Sequence, residues 1–75
     1  MIELYLYGKL RRVAAQQAAN GDSVLQVQLQ DDETIGQVLA RLGISAPETS
    51  NIFVDGELSA LSRHLQDGQR VGVFP

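Results

Sequence analysis

The sequence predicts an α+β fold, a mixed sheet of four or five strands packed on one main helix. Three observations predict it. Aliphatic residues alternate with polar or aromatic ones in two early stretches, Ile2, Leu4 and Leu6 and then Leu25, Val27 and Leu29, the period of a strand with one buried face. The period changes to that of a helix across Ile35, Val38, Leu39 and Leu42. It returns to short strand-like runs at Ile52-Phe53-Val54 and Val71-Gly72-Val73-Phe74. A sheet with one apolar face and a helix with one apolar stripe can bury those surfaces only against each other.

Each element has its own local reasons. The first strand ends at Gly8, after which Leu10 is expected to fold back as a core plug. Val13 to Asn20 is rich in alanine and glutamine and is read as a loop with partial helix, broken by Asn20-Gly21-Asp22. The second strand carries Gln26, Gln28 and Gln30 on its outer parity, which places it near a sheet edge. Thr34-Ile35-Gly36-Gln37 forms a capping box, because the Thr34 hydroxyl accepts from the Gln37 amide while the Gln37 side chain returns to the Thr34 amide. Asp31, Asp32 and Glu33 sit just before it, where the positive end of the helix dipole favours them. The helix is predicted over 35–42, closed by Gly43. Asp55-Gly56 is a hairpin turn signal after the third strand. Leu58, Leu61 and Leu65 suit a helical turn or a bent strand equally, and the final strand ends at Pro75.

Composition limits the functions open to the chain. Seventy-five residues, 44% of them hydrophobic and 20% charged, predict one globular domain over 1–75 with a small core. No cysteine is present, which removes disulfides, thiolate metal sites and a cysteine nucleophile. Met1-Ile2-Glu3 puts a carboxylate where a secretory signal carries a cation, and no apolar run approaches the ~20 residues that span a bilayer. A cytoplasmic chain without a membrane partner is expected. Six basic against nine acidic residues, net -3, argue against nucleic acid. Lys9, Arg11 and Arg12 read as a solvated basic loop.

Catalytic residues are not evident. Ser62, His64 and Asp67 can be written as a triad, but they lie in one short stretch, whereas a triad needs separate rigid elements and an oxyanion hole. One histidine and scattered carboxylates make no metal set, and the isolated glycines form no phosphate loop. No catalytic, cofactor or metal site is expected, and the chain reads as a non-enzyme. The aromatics point to a surface instead. Tyr5, Tyr7, Phe53 and Phe74 all fall on the parity opposite to the aliphatic core, so they share the outer face of the sheet and form the expected partner-binding patch.

Four segments together resemble the ubiquitin-like sulfur carriers of the ThiS and MoaD type: Tyr7 to Arg12, Thr34 to Leu39, Phe53 to Glu57, and Asp67 to Pro75. The resemblance implies the β-grasp (ubiquitin-like) roll, with the first and last strands parallel and adjacent in the middle of the sheet. It also implies a protein partner, an adenylating E1-like enzyme, and a role in sulfur transfer for thiamine, molybdopterin or related biosynthesis. Such carriers continue past the Phe-Pro position to a flexible Gly-Gly tail whose carboxylate is adenylated and then converted to a thiocarboxylate. This sequence ends at Pro75, whose ring fixes φ and does not suit a channel built for bare backbone. Two expectations therefore stand: a carrier-type substrate or partner of an adenylating enzyme, and a non-catalytic interaction module or accessory subunit of the same fold.

Overall fold

The computed structural model describes residues 1–17 and 24–75. Five strands form one sheet: β1 (Ile2–Leu6), β2 (Val24–Val27), β3 (Ile52–Val54), β4 (Glu57–Leu58) and β5 (Arg70–Val73), in the order β2-β1-β5-β3-β4. β1 and β5 are parallel and central, and the other pairs are antiparallel. This is the arrangement that the resemblance implies. Among the described residues two α-helices, α1 (Arg11–Gln17) and α2 (Ile35–Arg41), accompany the sheet.

The alternation in β1 sorts its side chains as expected. Ile2, Leu4 and Leu6 are buried and meet Leu25, Val27, Val71, Val73, Ile52 and Val54 in one core with Val38 and Leu39 of α2. Leu10 is fully buried and plugs the core from a 3-10 turn at Gly8–Leu10. The chain then enters α1 at once, so the helix begins before the expected stretch, and Val13 and Ala14 add to the core. The Asn20-Gly21-Asp22 break lies outside the described residues.

The helix entry is as read. Gln37 donates its backbone N–H to Thr34 Oγ1 at 3.2 Å, and Thr34 donates its own to Gln37 Oε1 at 2.8 Å. The first turn of α2 has further partners that the sequence did not announce. Ile35 and Gly36 donate to the carbonyls of Arg63 and Leu61, both at 2.9 Å, so the 61–65 segment satisfies amides that a helix start otherwise leaves orphaned. That segment is neither a helical turn nor a strand of its own: Leu65 is buried, and an isolated bridge joins Thr34 to His64. Three other boundaries shift. β2 covers Val24–Val27 and leaves Leu29 outside, α2 ends at Arg41, and Leu58 belongs to β4.

The three acids before α2 do not act alike, and the dipole reading is corrected for Glu33. Its carboxylate is buried and takes Arg41 on both oxygens, at 2.7 and 3.0 Å, while the Gln30 N–H donates to it at 2.8 Å. The same guanidinium donates to the Gln28 carbonyl at 3.0 Å, which ties the exit of β2 to the last turn of α2. The Arg41 hydrogen bond, followed by that of Gln30, lowers the Glu33 carboxyl below its ordinary value.

Candidate functional site

The register of the sheet sets the geometry of its outer face. Val24 pairs with Tyr5, Tyr5 with Gly72, Gly72 with Phe53, and Phe53 with Leu58. Paired residues share a face, so one row crosses all five strands as Val24, Tyr5, Gly72, Phe53 and Leu58. Both helices pack on the opposite face. Phe74 and Tyr7 form the next row and stack with ring centroids 4.4 Å apart and planes 6° apart. Phe53 meets Phe74 edge-on at 5.8 Å. The four aromatics named from the sequence therefore come together around a shallow cavity of about 280 Å³, floored by Gly72 and edged by Gly56 and Arg70. Tyr7 is 40% exposed and the other three rings are half-buried.

Two members of this surface were missed in the sequence. Leu58 is 65% exposed, the most exposed large apolar side chain described. The signal for it was the turn: Asp55 and Gly56 both have positive φ, 50° and 82°, the type I′ geometry that pairs Val54 with Glu57 and hence Phe53 with Leu58. Gly72 was read as one isolated strand glycine, yet it sits between two aromatic positions.

Two of the basic groups at the rim are paired within the chain. Arg70 Nε lies 3.2 Å from Glu3 Oε1, and the Arg70 backbone N–H donates to Asp55 Oδ1 at 3.0 Å. Arg12 is paired with Glu48, which corrects its reading as a solvated loop residue, while Lys9 and Arg11 are exposed. Hydrogen bonds from the Ser45 N–H, then from Arg12 and the Ser45 hydroxyl, hold the Glu48 carboxyl at about 2. Gln26 and Gln28 extend the edge with exposed polar groups.

The chain leaves β5 under tight local control. Tyr7 and Ser50 donate backbone N–H groups to the carbonyls of Val73 and Phe74, and Phe74 donates to Asn51. The Ser50 hydroxyl donates to the Pro75 carbonyl at 2.7 Å. Gly8 has φ +56°, and a Cβ there would stand 2.7 Å from Pro75 Cγ. Pro75 is thus seated on a residue that has no side chain, next to Phe74, whose ring is held by Tyr7 and Phe53.

The Ser62, His64 and Asp67 stretch does not gather into a site. His64 Nδ1 lies 3.0 Å from the Asp32 carbonyl and 3.1 Å from Asp32 Oδ1, whereas Asp67 pairs with the amino group of Met1. Among the described residues no group of three or more His, Asp or Glu side chains is placed to hold a metal. No helix among them is long and apolar enough to cross a membrane.

Comparison with known proteins agrees with this geometry. SAMP1 from Haloferax volcanii superposes with a TM-score of 0.69 at 24% identity, over 99% of this chain and 92% of that one. A Pyrococcus furiosus protein described as molybdopterin converting factor, subunit 1, superposes at 0.72 with 18% identity, over 99% and 94%. These likenesses show a shared fold, the ubiquitin-like β-grasp. No match is found among curated proteins. The family model described as Mut7-C ubiquitin matches residues 1–75. A β-grasp sheet with an aromatic outer face and a family match along its whole length identify the chain as a member of the Mut7-C ubiquitin family.

Proposed function

We propose that residues 1–75 act as one protein-docking module of the sulfur-carrier fold, a partner of an enzyme and not an enzyme itself. The observation that carries this reading is the five-strand row from Val24 to Leu58 with the Tyr7, Phe53 and Phe74 cluster beside it, an apolar surface covered by neither helix. Aromatic rings concentrate binding energy when a partner excludes water from them, and the polar groups around them supply the rim of an interface. Burial of catalytic groups in a closed pocket, which chemistry by the chain itself would need, is not what this face offers.

The resemblance to carriers and the fold shared with a molybdopterin converting factor subunit support an adenylating E1-like enzyme as the partner, met in the cytoplasm in a sulfur-transfer pathway. The family match favours a second reading, an accessory module with no thiocarboxylate chemistry, because the family name joins a ubiquitin-like unit to Mut7-C. A Mut7-C chain is then the partner to test beside the adenylating enzyme. Calorimetric titration of the purified 75-residue chain into each, from the same organism, separates the readings. Binding to the adenylating enzyme, together with a sulfur adduct detected by mass spectrometry on the chain extended by Gly-Gly, supports the carrier. Binding to the Mut7-C chain with no adduct supports the accessory module. Binding to neither removes both.

A further inference from the structure

The row across the sheet has a gap at its centre. Neighbouring strands lie about 4.8 Å apart, so Tyr5 and Phe53 stand one strand to either side of Gly72, which brings no side chain of its own, and only the edge of the Tyr7 ring reaches over it. Phe74 closes one end with Tyr7 stacked on it, and Arg70 stands at the other. At about 280 Å³ and shallow, the cavity has room for an inserted side chain. Its walls are apolar ring edges and faces, with Tyr7 stacked on Phe74 and Phe53 edge-on to Phe74, a lining that takes an aliphatic group without leaving a polar atom unpaired.

Gly72 is not required by the backbone. Among the described residues the glycines with positive φ are Gly8, Gly43, Gly56 and Gly68, and a Cβ at Gly72 would meet Tyr7 Cε2 at 3.6 Å, an ordinary contact. A mid-strand glycine weakens a sheet, so this position gives up stability and leaves a slot open. The single charged group on the wall is Arg70. Its guanidinium shares Nε with Glu3, its side chain is 71% exposed, and its two terminal nitrogens make no further bond among the described residues. That edge has the donor geometry of a carboxylate site.

We infer that the Gly72 slot takes one aliphatic side chain of the partner protein, with a neighbouring partner carboxylate seated on the terminal nitrogens of Arg70. This rests on the reading of the outer face as a protein-docking surface. Gly72 is then the position that sets specificity, because any side chain there occupies the space meant for the partner.

The test is a nitrogen-15 NMR titration with three short synthetic peptides: a leucine flanked by glutamates, the same leucine flanked by lysines, and a serine flanked by glutamates. The glutamate–leucine peptide should shift the amides of Tyr5, Gly72 and Phe53, and the other two should bind at least about tenfold more weakly. Gly72→Val should abolish binding while keeping or raising the melting temperature, since valine favours strands. If that variant does not fold, Gly72→Ala should still weaken binding several-fold. Arg70→Glu should reverse the preference between the glutamate and lysine peptides. Equal binding of the two leucine peptides, unchanged affinity in both Gly72 variants, or no response to any peptide overturns the inference. The docking reading is scored separately, with the adenylating enzyme and the Mut7-C chain as probes. Shifts of Tyr5 and Phe53 with either protein but with no peptide leave docking standing and remove the slot.

Discussion

Gly8→Ala tests the seat of Pro75 beside the aromatic face. Gly8 has φ +56°, a left-handed conformation that costs a residue with a Cβ about 1–2 kcal/mol. The added Cβ would also stand 2.7 Å from Pro75 Cγ and 3.4 Å from Pro75 Cδ, the first too close to persist, so the proline ring must move. Movement breaks the Ser50 hydroxyl bond to the Pro75 carbonyl, an exposed hydrogen bond worth about 0.5–1.5 kcal/mol. Strain and lost bond together place the destabilisation at roughly 2–3 kcal/mol. Urea denaturation of the wild type, Gly8→Ala, Ser50→Ala and the double variant measures it. Ser50→Ala alone should lose only the hydrogen bond, and the double variant should lose less than the sum, because Gly8→Ala has already displaced Pro75. A Gly8→Ala loss below about 0.5 kcal/mol, the size of an ordinary surface change, or strict additivity would refute the seat.

Three further outcomes are expected. Leu39→Ala, at a side chain 2% exposed in the centre of the core, should cost about 2–5 kcal/mol in the same denaturation assay; a loss under half a unit would mean the helix stripe is misplaced. Thr34→Ala removes the capping-box hydroxyl and should cost about 1 kcal/mol, with Thr34→Ser recovering most of it. Glu33 and Glu48 are both held below their ordinary carboxyl value, Glu33 chiefly by Arg41 and Glu48 chiefly by the Ser45 N–H, so the unfolded chain binds more protons in acid. Their contribution is complete above the ordinary value of 4.5 and is lost as pH falls through the folded values, about 2 for Glu48. Urea midpoints should therefore fall below that point, and less steeply in Glu33→Gln at the Glu33 step; a midpoint flat from neutral pH to strong acid would contradict the pairing.

The fold was legible where one local rule decided each element. Thr34 and Gln37 mark a helix start by their own hydrogen bonds, and Ile2, Leu4 and Leu6 need only a period of two to declare a buried face. The four aromatics were legible for the same reason, since parity alone puts them opposite the core. What escaped depended on residues far apart in sequence. Glu33 looked like a helix-dipole acid because Arg41 is a full helix away, and its bidentate pairing appears only when α2 brings that last turn over the β2 exit. Leu58 shared its spacing with Leu61 and Leu65, and only the type I′ turn at Asp55 and Gly56 assigns it to β4. The slot at Gly72 is a property of three paired strands, and no window of the sequence contains Tyr5, Gly72 and Phe53 together.

The outer face as a docking surface is the central claim, and a single affinity comparison tests it most directly. Whichever of the adenylating enzyme and the Mut7-C chain binds the wild type is titrated calorimetrically with Phe53→Ala, a ring at the centre of the row that touches Phe74. Truncating a central ring of an interface costs about 2 kcal/mol or more, which predicts an affinity at least roughly 30-fold weaker with the folded sheet retained by circular dichroism. An unchanged affinity in a folded Phe53→Ala chain would place the partner on another surface and contradict the account.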